Sequence, residues 1–249
     1  MSMTSDAANI ALCNNALDLL GAERITVLDI TDQNHIYCTG QFDQSRDEIL
    51  ENHKWNWAKK RAYALETTSP LFGYDNAFTY PTDCLKVWMI DQDPSAKFEV
   101  EGGLILTDEG DTPPDYDDDS VEYLAGQYLQ YSDVTYLVDT AFTSSAWATD
   151  LIAYMTTQTS DLQILEVEYV YQSTAVSSYP AYLYQCCVLN LAIKVGPAIK
   201  QNEKAALNLQ AMLYGSKNVT GYLDIARSID AQEQGGVEIQ TSGFIDSRG

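Results

Sequence analysis

The side chains from which an active site or metal centre would be built are scarce in this chain. Histidine occurs twice, as His35 and His53, which leaves little for acid–base work near neutral pH. No nucleophile motif supports a Ser–His–Asp or Cys–His arrangement, and neither Gly-x-Gly-x-x-Gly nor a P-loop is present. The five cysteines (Cys13, Cys38, Cys84, Cys186, Cys187) are odd in number and scattered, without a Cys-x-x-Cys. That suits a reducing compartment better than a disulfide framework or a zinc site. Adjacent Cys186 and Cys187 would point about 100° apart on one helix.

Acidic clusters are the remaining candidates. Asp115-x-Asp117-x-Asp119 opens like a calcium loop. Ser120 then stands where the loop needs Gly, and Gly126 where it needs a bidentate Glu. A solvated acidic loop is favoured over weak calcium binding. Glu99 with Glu101, and Glu166 with Glu168, share strand faces and could form the carboxylate pair of a carbohydrate-degrading enzyme. Pairs two residues apart arise readily in any acidic strand, so solvated faces are the favoured reading. The expectation is no catalytic site, no metal and no cofactor.

One stretch interleaves cations with aromatics: Trp55-Asn56-Trp57-Ala58-Lys59-Lys60-Arg61. It could stack on and neutralise a nucleic acid strand. Equally, the tryptophans could be core and the cations could answer acids in this chain or a neighbouring subunit. Charge favours the second. The net charge is −22, and between Phe98 and Ile193 there are sixteen acidic residues and no Lys or Arg. Such a surface repels phosphates, so binding through counterion release is disfavoured.

The elements that must position these residues follow from period and punctuation. Ser5–Leu20 reads as a helix capped by Thr4 or Ser5 and ended by Gly21. Asn34–Asn52 reads as a second, with Cys38, Phe42, Ser45 and Ile49 on one face. From Trp57 to Leu65 the pattern alternates as a strand, and Leu85–Ile90 and Leu165–Tyr171 follow. Phe98–Glu101 and Leu104–Leu106 make a hairpin on Gly102-Gly103. Asp108–Ser120 is an acidic loop, followed by short Tyr-, Thr- and Val-rich strands to Asp161 around a helical turn near Ala146–Met155. Ala181–Lys194 is a helix with Pro180 at its start and Gly196-Pro197 as its stop. Gln201 to about Ala231 is a long final helix that Gly215 or Gly221 bends. No run of roughly eighteen apolar residues offers a membrane span, and Met1–Asp6 lacks the features of a secretory signal.

The predicted fold is therefore α+β. A bundle of about four helices comes from residues 1–54 and 178–234, and a β-rich lobe from 55–177. Residues 235–249 form a flexible arm. Tyr222, Ile225 and Ile229 recur at helical spacing past the main bundle, and Val237, Ile239, Phe244 and Ile245 lie in the arm. Apolar groups so placed point to a groove on another subunit.

Several blocks carry a family resemblance. Ser45-Arg46-Asp47-Glu48-Ile49-Leu50 followed by His53-Lys54-Trp55-Asn56-Trp57-Ala58-Lys59-Lys60-Arg61 resembles the tail tubular protein A family of short-tailed bacteriophages. That family reads Arg-Asp-x-x-Leu, then His-Pro-Trp-Asn-Phe-Ala, then Lys-Arg. Lys54 and Trp57 depart from it. Ala11-x-Cys13-Asn14-x-Ala16-Leu17-x-x-Leu20-Gly21, Gly73-Tyr74-Asp75, Tyr80-Pro81-x-Asp83-Cys84-Leu85, Phe98–Gly102 before Ile105–Thr107, and Ala226–Glu233 also match. The resemblance covers 5–107 and 163–234. Residues 108–162 stand as an acidic insertion, and Ser177-Ser178-Tyr179-Pro180 replaces the usual Phe-Asp-Pro.

The resemblance implies a structural protein of the virion tail, assembled in the host cytoplasm as a dodecameric ring. Such a ring joins the portal to the tail nozzle, and DNA crosses its lumen without specific binding; no membrane is involved. It also implies structural or subunit-interface roles for Arg46, Trp55, Asn56, Trp57, Lys59, Lys60 and Arg61. Tyr222, Ile225, Ile229 and the arm residues are then candidates for docking to the portal or a neighbouring subunit.

Overall fold

The computed structural model describes residues 7–26, 31–117, 119–132, 134–144, 147–160, 162–200, 203–217 and 219–233. Thr4, Ser5, Val237, Ile239, Phe244 and Ile245 lie outside them. The protein is α+β, and its chain divides into two units. One takes residues up to Trp57 and from Ser173 onward, and the other spans Ala58–Gln172. The crossings fall a few residues inside those expected from the change of period, and Trp55, Asn56 and Trp57 belong to the helical unit.

In the helical unit, α1 (Ala7–Leu20) ends where Gly21 turns to φ +61°, its amide and that of Ala22 bonding back to Asp18 and Leu17. The second helix, α2 (Gln33–Glu51), starts at Asp32, whose carboxylate accepts the Asn34 amide at 2.9 Å. The other helices of this unit are α4 (Ala181–Lys200), α5 (Glu203–Tyr214) and α6 (Tyr222–Gln232). The β unit contributes α3 (Trp147–Tyr154). A 3₁₀ turn at Val176–Ser178 leads into α4.

Helix α4 packs against α1, α2, α5 and α6, and buries Leu183, Cys186, Cys187, Leu189, Leu191 and Val195. It alone among the described helices is long and apolar enough to cross a bilayer, over Ala181–Ile199, a property that counting unbroken apolar runs misses. Its apolar sides are occupied by the four neighbouring helices. Gly196-Pro197 does not stop it. The helix runs on through Pro197 to Lys200, and Leu20 of α1 lies so near Gly196 that a Cβ there would come within 3.3 Å.

The expected long final helix is two. Gly215, at φ +85°, and Gly221 fold α5 back onto α6, with Ser216 and Val219 exchanging backbone hydrogen bonds at 2.9 and 3.1 Å. The helical unit thus holds five helices among the described residues, where about four were expected.

The β unit is built on two three-stranded sheets, to which the stretch 108–162 adds further strands. Strands β1 (Lys59–Leu65), β11 (Ile164–Tyr171) and β3 (Cys84–Ile90) form an antiparallel sheet with β11 in the centre. A second sheet orders β2 (Asn76–Thr79), β5 (Leu104–Thr107) and β4 (Phe98–Glu101). The β4–β5 hairpin turns on Gly102 and Gly103, at φ +57° and +83°, values that a side chain would resist. Ala64, Phe78, Val87, Ile90, Ile105, Leu165, Val167 and Tyr169 are the shared core.

The stretch 108–162 has a core of its own. Strands β6 (Glu122–Tyr123), β7 (Tyr128–Tyr131), β8 (Val134–Val138), β9 (Phe142–Thr143) and β10 (Met155–Ser160) enclose Tyr123, Leu129, Tyr136, Val138, Phe142 and Met155. Its two ends are zipped at Asp111 and Ile164, which exchange backbone hydrogen bonds at 2.9 and 2.8 Å.

Candidate functional site

The most connected polar centre of the helical unit is Asp230, fully buried on α6. Its Oδ1 accepts the Asn56 amide at 2.9 Å and the Tyr182 hydroxyl at 3.1 Å, and its Oδ2 lies 3.2 Å from His53 Nε2. The Asn56 side-chain amide donates to the Asp230 carbonyl at 2.6 Å. Arg227, one turn earlier, reaches the Asn52 carbonyl and side chain. Two sequence blocks about 170 residues apart, His53–Asn56 and Ala226–Glu233, are therefore one structure.

Burial sets the chemistry there. His53 is held below its ordinary pKa because desolvation, opposing its charge, outweighs the attraction of Asp230. The neutral ring can then donate Nε2–H to the carboxylate. Burial, together with Asp230 and Glu233, raises the Tyr182 phenol well above its usual range, so it stays protonated and donates. These groups form a closed set of donors around one acceptor, an arrangement that holds α6 in place.

Trp55, fully buried, completes the tie. Its indole donates to the Ile49 carbonyl at 2.8 Å, meets His53 edge-on at 4.8 Å and stacks on Tyr182 at 5.9 Å. Trp57 meets Tyr179 edge-on at 5.0 Å. Arg46, 4% exposed, pairs with Asp47 at 2.7 Å and Asp43 at 2.9 Å. Burial works against its charge, but the Asp47 and Asp43 carboxylates more than compensate and leave its pKa raised. On α4, Asn190 donates to the Ser45 carbonyl and to Glu48, and Lys194 pairs with Glu48 at 2.6 Å.

The cations that follow Trp57 belong to the β unit and meet its own acids. Lys60 pairs with Asp83 at 2.6 Å and lies 4.1 Å above the Tyr171 ring. Asp83 also accepts the Tyr169 hydroxyl at 2.8 Å. Desolvation would raise the Asp83 pKa, but Lys60 and Tyr169 win and lower it. Arg61 and Lys59 lie 3.2 and 3.9 Å from Glu168. The seven residues of the Arg46–Arg61 region are thus split between two units, each engaged within its own.

The carboxylate pairs differ in setting. Glu99 and Glu101 are exposed on β4, an edge strand. Glu166 and Glu168 share a face of β11 with Tyr63 and Arg61 opposite them in register. Glu166 accepts Gln92 Nε2 at 2.6 Å and lies 3.5 Å from the Tyr63 hydroxyl. This face floors a cleft of about 410 Å³ whose far wall is the Leu124–Gln127 turn. Asp117 accepts the Asp119 amide in a local turn, and its own amide donates to the Tyr123 hydroxyl. No group of three or more His, Cys, Asp or Glu is placed to hold a metal among the described residues.

On α6 the buried stripe is Leu223, Ala226 and Asp230, one residue out of step with the apolar stripe expected to dock. That corrects the expectation that the segment lies past the bundle: α6 packs on α4 and α5. Ile225 and Ile229 remain 44% and 39% exposed, and Tyr222 is half-buried. Sequence reasoning missed Asp230 and Tyr182. The available signal was an acid at i+7 from Leu223 and i+4 from Ala226, continuing an apolar stripe. Comparison of the chain with protein-family models and with curated proteins found no match.

Proposed function

We propose that this chain is a structural protein of a short-tailed bacteriophage virion, a ring-forming adaptor between portal and tail nozzle whose lumen passes DNA. The observation that carries the reading is the convergence on Asp230. Two of the several blocks that carry the family resemblance, His53–Arg61 and Ala226–Glu233, are far apart in sequence and meet in one buried tie. A buried joint without reactive groups suits a scaffold subunit. The charge agrees in sense: sixteen acids without a cation over Phe98–Ile193 favour a surface that lets DNA slide past. On this reading the cations of Lys59–Arg61 brace the lobe, and the partners are further copies, the portal and the nozzle.

Mass photometry of the purified chain tests it. The expected result is a closed species at the mass of twelve 27.7 kDa chains, seen as rings by negative-stain microscopy. A chain that stays monomeric at every attainable concentration overturns the reading.

A further inference from the structure

The most exposed apolar side chains in the described structure sit together at one loop tip. Leu71 is 99% exposed and Phe72 88%, in the connection between β1 and β2. Pro70 stiffens the entry, and Gly73 at φ +99° reverses the chain after them. Two large apolar groups held out in water cost free energy, and a loop tip has no need of them for its own fold. The tip also carries no charge from Thr67 to Tyr74, in a chain of net charge −22. It can therefore approach another acidic copy without the repulsion that most of the surface would meet.

The same unit carries a cleft with an apolar wall that can receive the tip. The 410 Å³ cleft is larger than a leucyl and a phenylalanyl side chain together. Leu124, 54% exposed, and Ala125 give its wall apolar surface, above a floor that carries Arg61, Tyr63, Glu166 and Glu168. The geometry points to an intermolecular contact in which the Leu71–Phe72 tip of one copy fills the Leu124–Gln127 cleft of the next. Tip and cleft are different patches of the same chain, so the contact is head-to-tail, and repetition closes a ring or extends a filament. It rests on the ring reading and names where successive subunits join.

Two variants separate the halves of the contact. Leu71→Asp with Phe72→Asp disables the tip and leaves the cleft, while Ala125→Trp fills the cleft and leaves the tip. All three positions can change without disturbing a core cluster, and unchanged melting checks that each variant folds. Wild type is expected to form large species by mass photometry, and each variant alone to lose them. Mixing the two variants should restore a single contact, the intact tip of one in the intact cleft of the other, and give heterodimers that do not grow. Wild-type rings with unimpaired rings from either variant overturn this contact and leave the ring reading standing. Monomeric wild type overturns both, and variants that lose rings yet form no heterodimer on mixing overturn the pairing of tip with cleft.

Discussion

At Asp230 a single carboxylate replaces several solvent contacts for His53, Asn56 and Tyr182. Asp230→Ala leaves those donors stranded in a buried site, so it should destabilise the helical unit by about 3 kcal/mol. Urea denaturation followed by circular dichroism measures this, and Asp230→Asn, which keeps one acceptor oxygen, should cost less. The neighbouring imidazole makes the same site sensitive to acid. His53 binds its proton more weakly folded than unfolded. Above its unfolded pKa, about 6.5, both states are neutral and the full stability is present. As pH falls below that value the unfolded chain takes up the proton first, and stability is lost until the folded ring also titrates. Denaturation midpoints taken from about pH 7.5 down to pH 5 should therefore fall more steeply in wild type than in His53→Gln. Parallel slopes would mean that the ring does not feel its burial.

Glycine positions separate elements that tolerate a side chain from those that do not. Between α5 and α6, a Cβ on Gly215 would lie 2.7 Å from the Gly221 nitrogen and the Val219 oxygen, and one on Gly221 2.4 Å from the Gly215 nitrogen. These are backbone atoms and cannot rotate aside. Gly221→Ala is expected to cost about 3 kcal/mol and to loosen α6, read as faster amide exchange from Tyr222 to Asp230. Gly40, in the middle of α2 with nothing within 4 Å of its would-be Cβ, is the contrast. Gly40→Ala should stabilise the protein by about 0.5–1 kcal/mol in the same assay. The stretch 108–162, with its own aromatic core and a neck zipped at Asp111 and Ile164, is a packed element rather than a long loop.

For the whole molecule, charge opposes association. Copies of a chain at −22 repel one another at low ionic strength, and apolar contacts must overcome that repulsion. Salt shortens the screening length from about 10 Å at 0.1 M to about 3 Å at 1 M. If the chain assembles as proposed, the fraction in rings should then rise with sodium chloride. A fall would show that ion pairs between copies hold the assembly.

Local pattern determined much of this. The helix stop at Gly21, the Gly102-Gly103 hairpin, the alternation of β1 and β11 and the absence of cations over Phe98–Ile193 are properties of short stretches or of composition, and the chain alone makes them legible. What lay beyond sequence depends on partners distant along the chain. Gly196-Pro197 reads as a stop, yet α4, packed on four helices, continues through it, and Tyr222, Ile225 and Ile229 read as the working face of α6 until Asp230 turns the neighbouring face inward. A side chain's burial is settled by what arrives from elsewhere, and hydrophobic counting assigns a carboxylate to solvent. Only the tertiary structure brings His53, Asn56 and Tyr182 to the Asp230 carboxylate, and those donors offset the cost of taking it out of water.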